Sequence, residues 1–257
     1  MSTKKRLLVR LFSAALAILG VAVFAMGQAH QTAAEHAEQV PSAKSNVRQG
    51  AGQAPTARRA DNRRPTDPTK YSYEFTQPQF TTSHILIEHD AAGRGKITFE
   101  RLGESTPIVE PVELSTAALG RILGLWSDLH FLDSAEDYQS EKQFPHLGTM
   151  KVQMDDGQRK RTAEFNWSRN KQAFALVNEY RRVADQAVLV FDIAIARENQ
   201  PLNAPKLMEL FEIMLTRNGL SDPYQLVPLL RELTTDEHLP LIARNHATRL
   251  LQRIEKE

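Results

Sequence analysis

The chain has no cysteine. That absence excludes a disulfide framework, a thiolate metal site, haem attachment through C-x-x-C-H, a cysteine nucleophile and a lipidated N-terminal cysteine. Glycine is sparse, at 12 of 257 residues, and no Gly-rich phosphate loop can be drawn. H-E-x-x-H and G-x-S-x-G are also missing. A surplus of one charge is lacking overall, since the net charge is +1, but the charge is unevenly spread. Residues 1–27 carry +4, residues 28–70 carry +3, and residues 71–257 carry −6. An acidic C-terminal two-thirds argues against a nucleic-acid partner.

The N-terminus is where the sequence speaks most directly. Lys4, Lys5, Arg6 and Arg10 precede an uncharged apolar run from Leu11 to Met26, and small residues follow at cleavage spacing. This is the pattern of a secretory signal peptide over 1–27. Residues 7–27 also serve as a candidate membrane anchor, because Leu11 to Ala29 approaches the roughly 20 residues that span a bilayer. Either reading puts the remainder outside the cytoplasm, periplasmic or secreted, with the basic flank inside. Residues 28–70 have no Leu, Ile, Met, Phe, Tyr or Trp; their apolar content is nine Ala and two Val. Such a stretch is expected to be a disordered Ala/Arg/Pro linker, since it cannot offset an ordering cost of roughly 1–2 kcal/mol per residue.

Residues 71–200 are predicted to form an α+β domain: a two-layer antiparallel four-stranded sheet with helices on one face. Thr82 to His89 and Lys96 to Leu102 flank Ala91-Ala92-Gly93-Arg94-Gly95 and form a hairpin with Ile85, Ile87, Ile97 and Phe99 on its apolar face. Pro107 and Pro111 then break the chain. Ser115 caps a helix from Thr116 to about His130, with Leu119, Ile122, Leu123, Trp126 and Leu129 at helical spacing. A second hairpin turns at Asp156-Gly157, a preferred two-residue type I′ turn. That turn pairs Met154 with Arg159, Val152 with Arg161 and Met150 with Ala163, and leaves Lys151, Gln153, Lys160, Thr162 and Glu164 on the opposite face. A helix of about 28 residues, roughly 42 Å long, follows from Ser168 or Asn170. Its stripe is Phe174, Val177, Tyr180, Ala184, Ala187, Phe191 and Ile195, and its second half is too long to lie on a four-stranded sheet. Trp126 and Trp167 are expected to be core anchors.

Residues 201–257 are predicted to be a helical cap of hairpins packed on that domain. One helix carries Leu207, Leu210, Phe211, Met214 and Leu215 and ends at Asn218-Gly219. The next opens at Ser221-Asp222-Pro223 with Leu226, Leu229, Leu230 and Leu233. Thr234-x-x-Glu237 reads as a capping box for a last helix with Leu241, Ile242, Ala247, Leu250, Leu251 and Ile254. Leu210, Phe211 and Leu250 are expected to cover the second half of the long helix in one continuous core.

The order strand-strand-helix-strand-strand-helix over 80–195 resembles a family of exported bacterial domains of unknown function. Lys96-Ile97-Thr98-Phe99-Glu100 and Leu129-His130-Phe131-Leu132-Asp133 match its spacing, whereas the Cys pair that its members carry near the first strand has no counterpart here. Tyr224 to Ile254 resembles a single HEAT-like helical hairpin, with Arg244 one place later than usual. The resemblance implies a fold and no chemistry.

His84, Glu88, His89 and Asp90 form the densest cluster of candidate ligands. On a regular strand His84 and Glu88 lie roughly 13 Å apart, and Glu88 and His89 face opposite ways. His238 and His246 stand too far apart to share a metal on one helix. Asn166-Trp167-Ser168 fits N-x-[ST] but sits at a strand-to-helix junction. Arg159-Lys160-Arg161 beside a turn suits a strand edge protected from aggregation. No catalytic, cofactor or metal residue is therefore assigned. The chain reads as an exported non-catalytic binding module for an envelope protein or ligand. The alternative is an extracytoplasmic hydrolase with a site in loop 133–148, using His130, Asp133, Asp137 and His146.

Overall fold

The computed structural model describes residues 69–256. The expected signal or anchor segment and nearly all of the expected linker lie outside the described residues. Six strands form one antiparallel sheet: β1 (Lys70–Thr76), β2 (Thr82–Asp90), β3 (Arg94–Arg101), β4 (Ile108–Glu113), β5 (Thr149–Asp155) and β6 (Lys160–Phe165), in the order β4-β3-β2-β1-β5-β6. Five α-helices accompany them: α1 (Thr116–Asp128), α2 (Lys171–Asn199), α3 (Ala204–Thr216), α4 (Val227–Thr235) and α5 (Leu241–Ile254). The α+β class holds, and the expectation of four strands is corrected to six. None of the described helices is long and apolar enough to cross a membrane.

The two additional strands have separate physical reasons. β1 alternates Tyr71, Tyr73 and Phe75 inward with Ser72 and Glu74 outward, and it joins the two expected hairpins by pairing with β2 on one side and β5 on the other. β4 contains Pro111, which was expected to break the chain. It is an edge strand, where a residue without an N–H is tolerated, and Pro111 stands opposite Lys96.

The first hairpin pairs Ile85 with Phe99 and Ile87 with Ile97, so the expected apolar face is formed. Gly95 opposes His89, and a side chain there would strike the Glu88 carbonyl oxygen, its Cβ falling 1.8 Å away. The second hairpin is in a different register. Met154 pairs with Arg161, Val152 with Ala163 and Met150 with Phe165. Its loop is 156–159 rather than the Asp-Gly pair alone, because the Asp156 carboxylate accepts from the N–H groups of Gln158 and Arg159 at 2.9 and 2.7 Å. The slip is of two residues. Side chains alternate with a period of two, so every residue keeps its face.

Ser115 caps α1 by accepting from the Ala118 N–H at 3.1 Å, and Asn170 caps α2 by accepting from the Ala173 N–H at 3.0 Å. Both helices lie on the inner sheet face. α2 serves two cores. Ala173, Leu176, Val177, Tyr180, Val183 and Ala184 belong to the sheet core, and Leu189 and Ile193 belong to a second core with Met208, Phe211, Leu230, Ala247 and Leu250. The expected single continuous core is therefore two cores sharing one helix. Ala187 and Phe191, expected under the C-terminal helices, pack with the sheet instead, and Phe191 meets Phe99 edge-on at 5.4 Å. The wider sheet reaches further along α2 than four strands would.

Polar contacts join the two cores. Arg121 donates to Glu179 at 3.1 Å and to the Ser221 carbonyl at 2.6 Å, and Gln186 accepts from the Asp222 N–H at 2.9 Å. Several expected core residues are exposed. Trp167 lies two residues past the end of β6, Phe174 is in the first turn of α2, Leu210 is on the outer side of α3, and Leu241 and Ile242 open α5. The core face of α5 is Ala243, His246, Ala247, Leu250 and Ile254. Thr234 forms no capping box: it lies inside α4, donates its hydroxyl to the Arg231 carbonyl, and α5 starts after Pro240.

Candidate functional site

Two arrangements concentrate chemistry on the sheet side of α2. The first is buried. His89, Trp126 and Tyr180 arrive from β2, α1 and α2, and each is almost inaccessible. Trp126 Nε1–H donates to the Tyr180 hydroxyl at 3.0 Å, and that hydroxyl lies 2.8 Å from His89 Nε2. His89 Nδ1 lies 2.7 Å from the Asp90 carbonyl oxygen. A carbonyl only accepts, so the Nδ1 carries the proton and the Nε2 accepts from Tyr180. One continuous chain of donors thus runs Trp126, Tyr180, His89, Asp90. Tyr71 stacks on His89 at 5.2 Å and Tyr73 on Tyr180 at 5.2 Å.

Burial holds the His89 imidazole below the ordinary histidine pKa, with its contact to the Asp90 backbone acting weakly the other way. Burial also raises the Tyr180 phenol. Both groups are thereby kept neutral, and the network locks the core. The sign of the linkage follows. An unfolded histidine protonates near 6.5, but the folded one resists, so the unfolded state binds more protons on the acid side. The contribution is fully present above about pH 7 and is lost as pH falls through 6.5 toward the depressed folded value. Urea midpoints from about pH 7 to about pH 5 should fall more steeply for the native chain than for His89→Gln. Equal slopes would show that His89 is not buried neutral.

The second arrangement is an open groove of about 760 Å³ between the ends of the strands and α2. One wall is the β1–β2 turn with Phe80. Gln77 pins it by donating its amide to the carbonyls of Pro145 and His146, each at 3.0 Å. The other wall is Asn166, Trp167 and Leu147. Asn166 Oδ1 accepts from the Phe144 N–H at 3.1 Å, and the Trp167 carbonyl accepts from the Ser140 N–H at 2.9 Å. Along α2, Phe174, Val177, Asn178, Arg181 and Asp185 recur at helical spacing and face the groove together. Phe80, Trp167 and Phe174 are 45%, 36% and 41% exposed, so three aromatic side chains stand open at its rim. Trp167 lies 5.7 Å from Phe174 and 5.5 Å from Phe144, which supports it from behind. The Arg181 guanidinium sits 6.0 Å from the centre of the Phe75 ring. The groove atoms around Asp185 raise its carboxyl pKa, and Arg181 opposes this through charge.

The sequence-predicted candidates fall elsewhere. His84 is on the outer sheet face, 3.1 Å from Glu74 and 3.4 Å from Glu100, and Lys151 reaches the same Glu74 at 2.5 Å. Glu88 pairs with Lys96 at 3.0 Å, and the Asp90 carboxylate closes its turn by accepting from the N–H groups of Ala92 and Arg94. His84 and His89 thus lie on opposite faces. Among the described residues no three His, Asp or Glu side chains gather as a metal site. The four residues of the hydrolase alternative do not converge either. Asp133 pairs with Arg159 at 2.5 Å, Asp137 accepts from the Gln139 N–H, and His130 and His146 are exposed; none of the four lines the groove. Segment 129–144 instead is held beside β6 by the Arg161 side chain, which donates to the carbonyls of Phe131 and Glu136, both at 2.6 Å. His246 is buried against Glu212 at 2.9 Å, while His238 is exposed beside Asp236.

Sequence reasoning missed the groove. Its residues come from four separate segments, and strict alternation along Ala163, Phe165 and Trp167 assigns the tryptophan to the core. The available signal was the helix cap at Asn170, three residues on, which leaves Trp167 in a connection rather than a strand. Comparison with known proteins adds no relative, for no family model and no curated protein matches the chain.

Proposed function

We propose that this chain is a non-catalytic, extracytoplasmic binding module that engages an envelope component through the groove between the strand ends and α2. The observation that carries the reading is the open aromatic rim of Phe80, Trp167 and Phe174 over a cavity of about 760 Å³, within the size range of small-ligand sites. Exposed large aromatic side chains gathered in one concavity are a mark of recognition, whereas the same residues scattered singly would mean nothing. The envelope location rests on the basic, apolar and small-residue succession of residues 1–27 and on the linker composition of 28–70.

The outer sheet face is the control surface, because its Lys151, Glu74, Glu88 and Lys96 satisfy one another in ion pairs. A photo-crosslinking side chain placed at Phe80 or Phe174 should yield discrete adducts in the envelope fraction, and one at Thr98 or Thr162 should not. Phe80→Ala and Phe174→Ala should cost about 1 kcal/mol or less of stability, as surface changes do. Equal labelling from both faces would remove the groove from the proposal, and recovery of the native chain only from the cytoplasm would remove the envelope.

A further inference from the structure

We propose that the groove is a saccharide site that takes a short run of uncharged sugar rings. The inference rests on the reading of the groove as a binding site and specifies its ligand.

Three features select that chemistry. The floor is already filled: Tyr73, Phe75, Ile85 and Val177 are buried in the sheet core, so no deep apolar pocket remains for a side-chain anchor. What the groove offers is ring faces at its rim, and the flat C–H face of a sugar ring lies naturally on an aromatic face. Second, Asn178, Arg181 and Asp185 form a polar edge on one side of α2. An amide, a guanidinium and a carboxylate in a row supply donors and acceptors that neighbouring hydroxyl groups take up in pairs. Arg181 influences Asp185 through charge and also hydrogen-bonds the buried Tyr73 hydroxyl, which holds the guanidinium in place beside the carboxylate. Third, this edge holds one cation and one anion, so it is complementary to a neutral ligand. A polyanion requires a surplus of cations. An extended peptide added to the sheet requires a free strand edge, but the groove lies across the strand ends.

The test is calorimetric and fluorescence titration of the full chain with N-acetylglucosamine oligomers, cello-oligosaccharides and malto-oligosaccharides. Trp126 is buried and Trp167 is open, so Trp167 is the reporter. Saturable binding of at least one series is expected, with a shift in emission that Trp167→Phe abolishes. Asp185→Asn and Phe174→Ala should each weaken binding at least about tenfold, equivalent to 1.4 kcal/mol, and Thr98→Ala should leave it unchanged. Raising the salt to about 0.5 M should change Kd less than about twofold, since no net charge is being neutralised. No saturable binding with any series, or binding that survives Asp185→Asn together with Phe174→Ala, overturns the saccharide assignment. If adducts still form at Phe80 and Phe174 in the envelope, the binding reading stands and only its ligand falls. If they are absent too, both fall.

Discussion

Tyr180→Phe should destabilise the chain by about 2–5 kcal/mol, although it removes a single oxygen atom. The Tyr180 hydroxyl satisfies two buried partners, accepting from Trp126 Nε1–H and donating to His89 Nε2. Water has no route to replace it, because the three residues are almost inaccessible. Each buried polar group left without a partner costs about 1–3 kcal/mol, which is far more than an exposed hydroxyl would contribute. The ring itself stays, with its stacking on Tyr73, so packing loss does not confuse the result. Urea unfolding measures the difference directly. The effects of Tyr180→Phe and His89→Gln should fall short of additivity when combined, because both break the same bond. A cost below about 0.5 kcal/mol would show that the network is ornamental to the core.

Deleting residues 201–257 should give a protein that aggregates or melts far below the full chain. The cut falls after α2, yet the second half of that helix belongs to the core made by α3, α4 and α5. Leu189 and Ile193 would lose their cover, and each is worth about 1.5–3 kcal/mol of burial. Arg121 would also lose the Ser221 carbonyl, and Gln186 would lose the Asp222 N–H and Gln225. These losses compare with the whole margin of an ordinary domain, about 5–15 kcal/mol. The two cores are distinct in space, yet they share one uninterrupted helix of 29 residues. Size-exclusion chromatography and thermal melting of a chain ending at Gln200 decide the matter. A monomer that melts like the full chain would make the C-terminal helices an independent module.

The parts of the fold that were legible in the sequence are those where local pattern and final packing agree. Ser115 and the Ile122 to Trp126 spacing delimit α1, and Ile85, Ile87, Ile97 and Phe99 fall on one sheet face as their alternation requires. The unbroken run after Asn170 becomes α2. The failures are instructive in kind. The Tyr71, Tyr73, Phe75 alternation was visible, but β1 touches a linker-like composition on its N-terminal side, and its partner β2 already had a hairpin partner in β3. β4 was hidden by a proline whose tolerance depends on edge position, and edge position is a property of the assembled sheet. The Asp-Gly turn was placed correctly and its register was not, because the side chain of Asp156 selects a longer loop. The buried His89 network joins residues up to 91 positions apart, and the groove joins four segments. Neither has a local signature, which is why both were invisible until the strands were paired.

The position of β1 has a consequence for the order of events as the polypeptide is made. It pairs with β2 across a short turn, but its other side waits for β5; the Glu74–Lys151 contact spans 77 positions. The four-stranded piece β1 to β4 and α1 therefore leave the ribosome before the last two strands and α2 have emerged. During that interval Tyr71, Tyr73 and Phe75 lie on a temporary edge with unpaired backbone groups, which is the geometry that recruits foreign strands. Closing so long a loop is also the slow step expected of non-local sheet pairing. A nascent chain of this design is most exposed to misassociation just before β5 arrives.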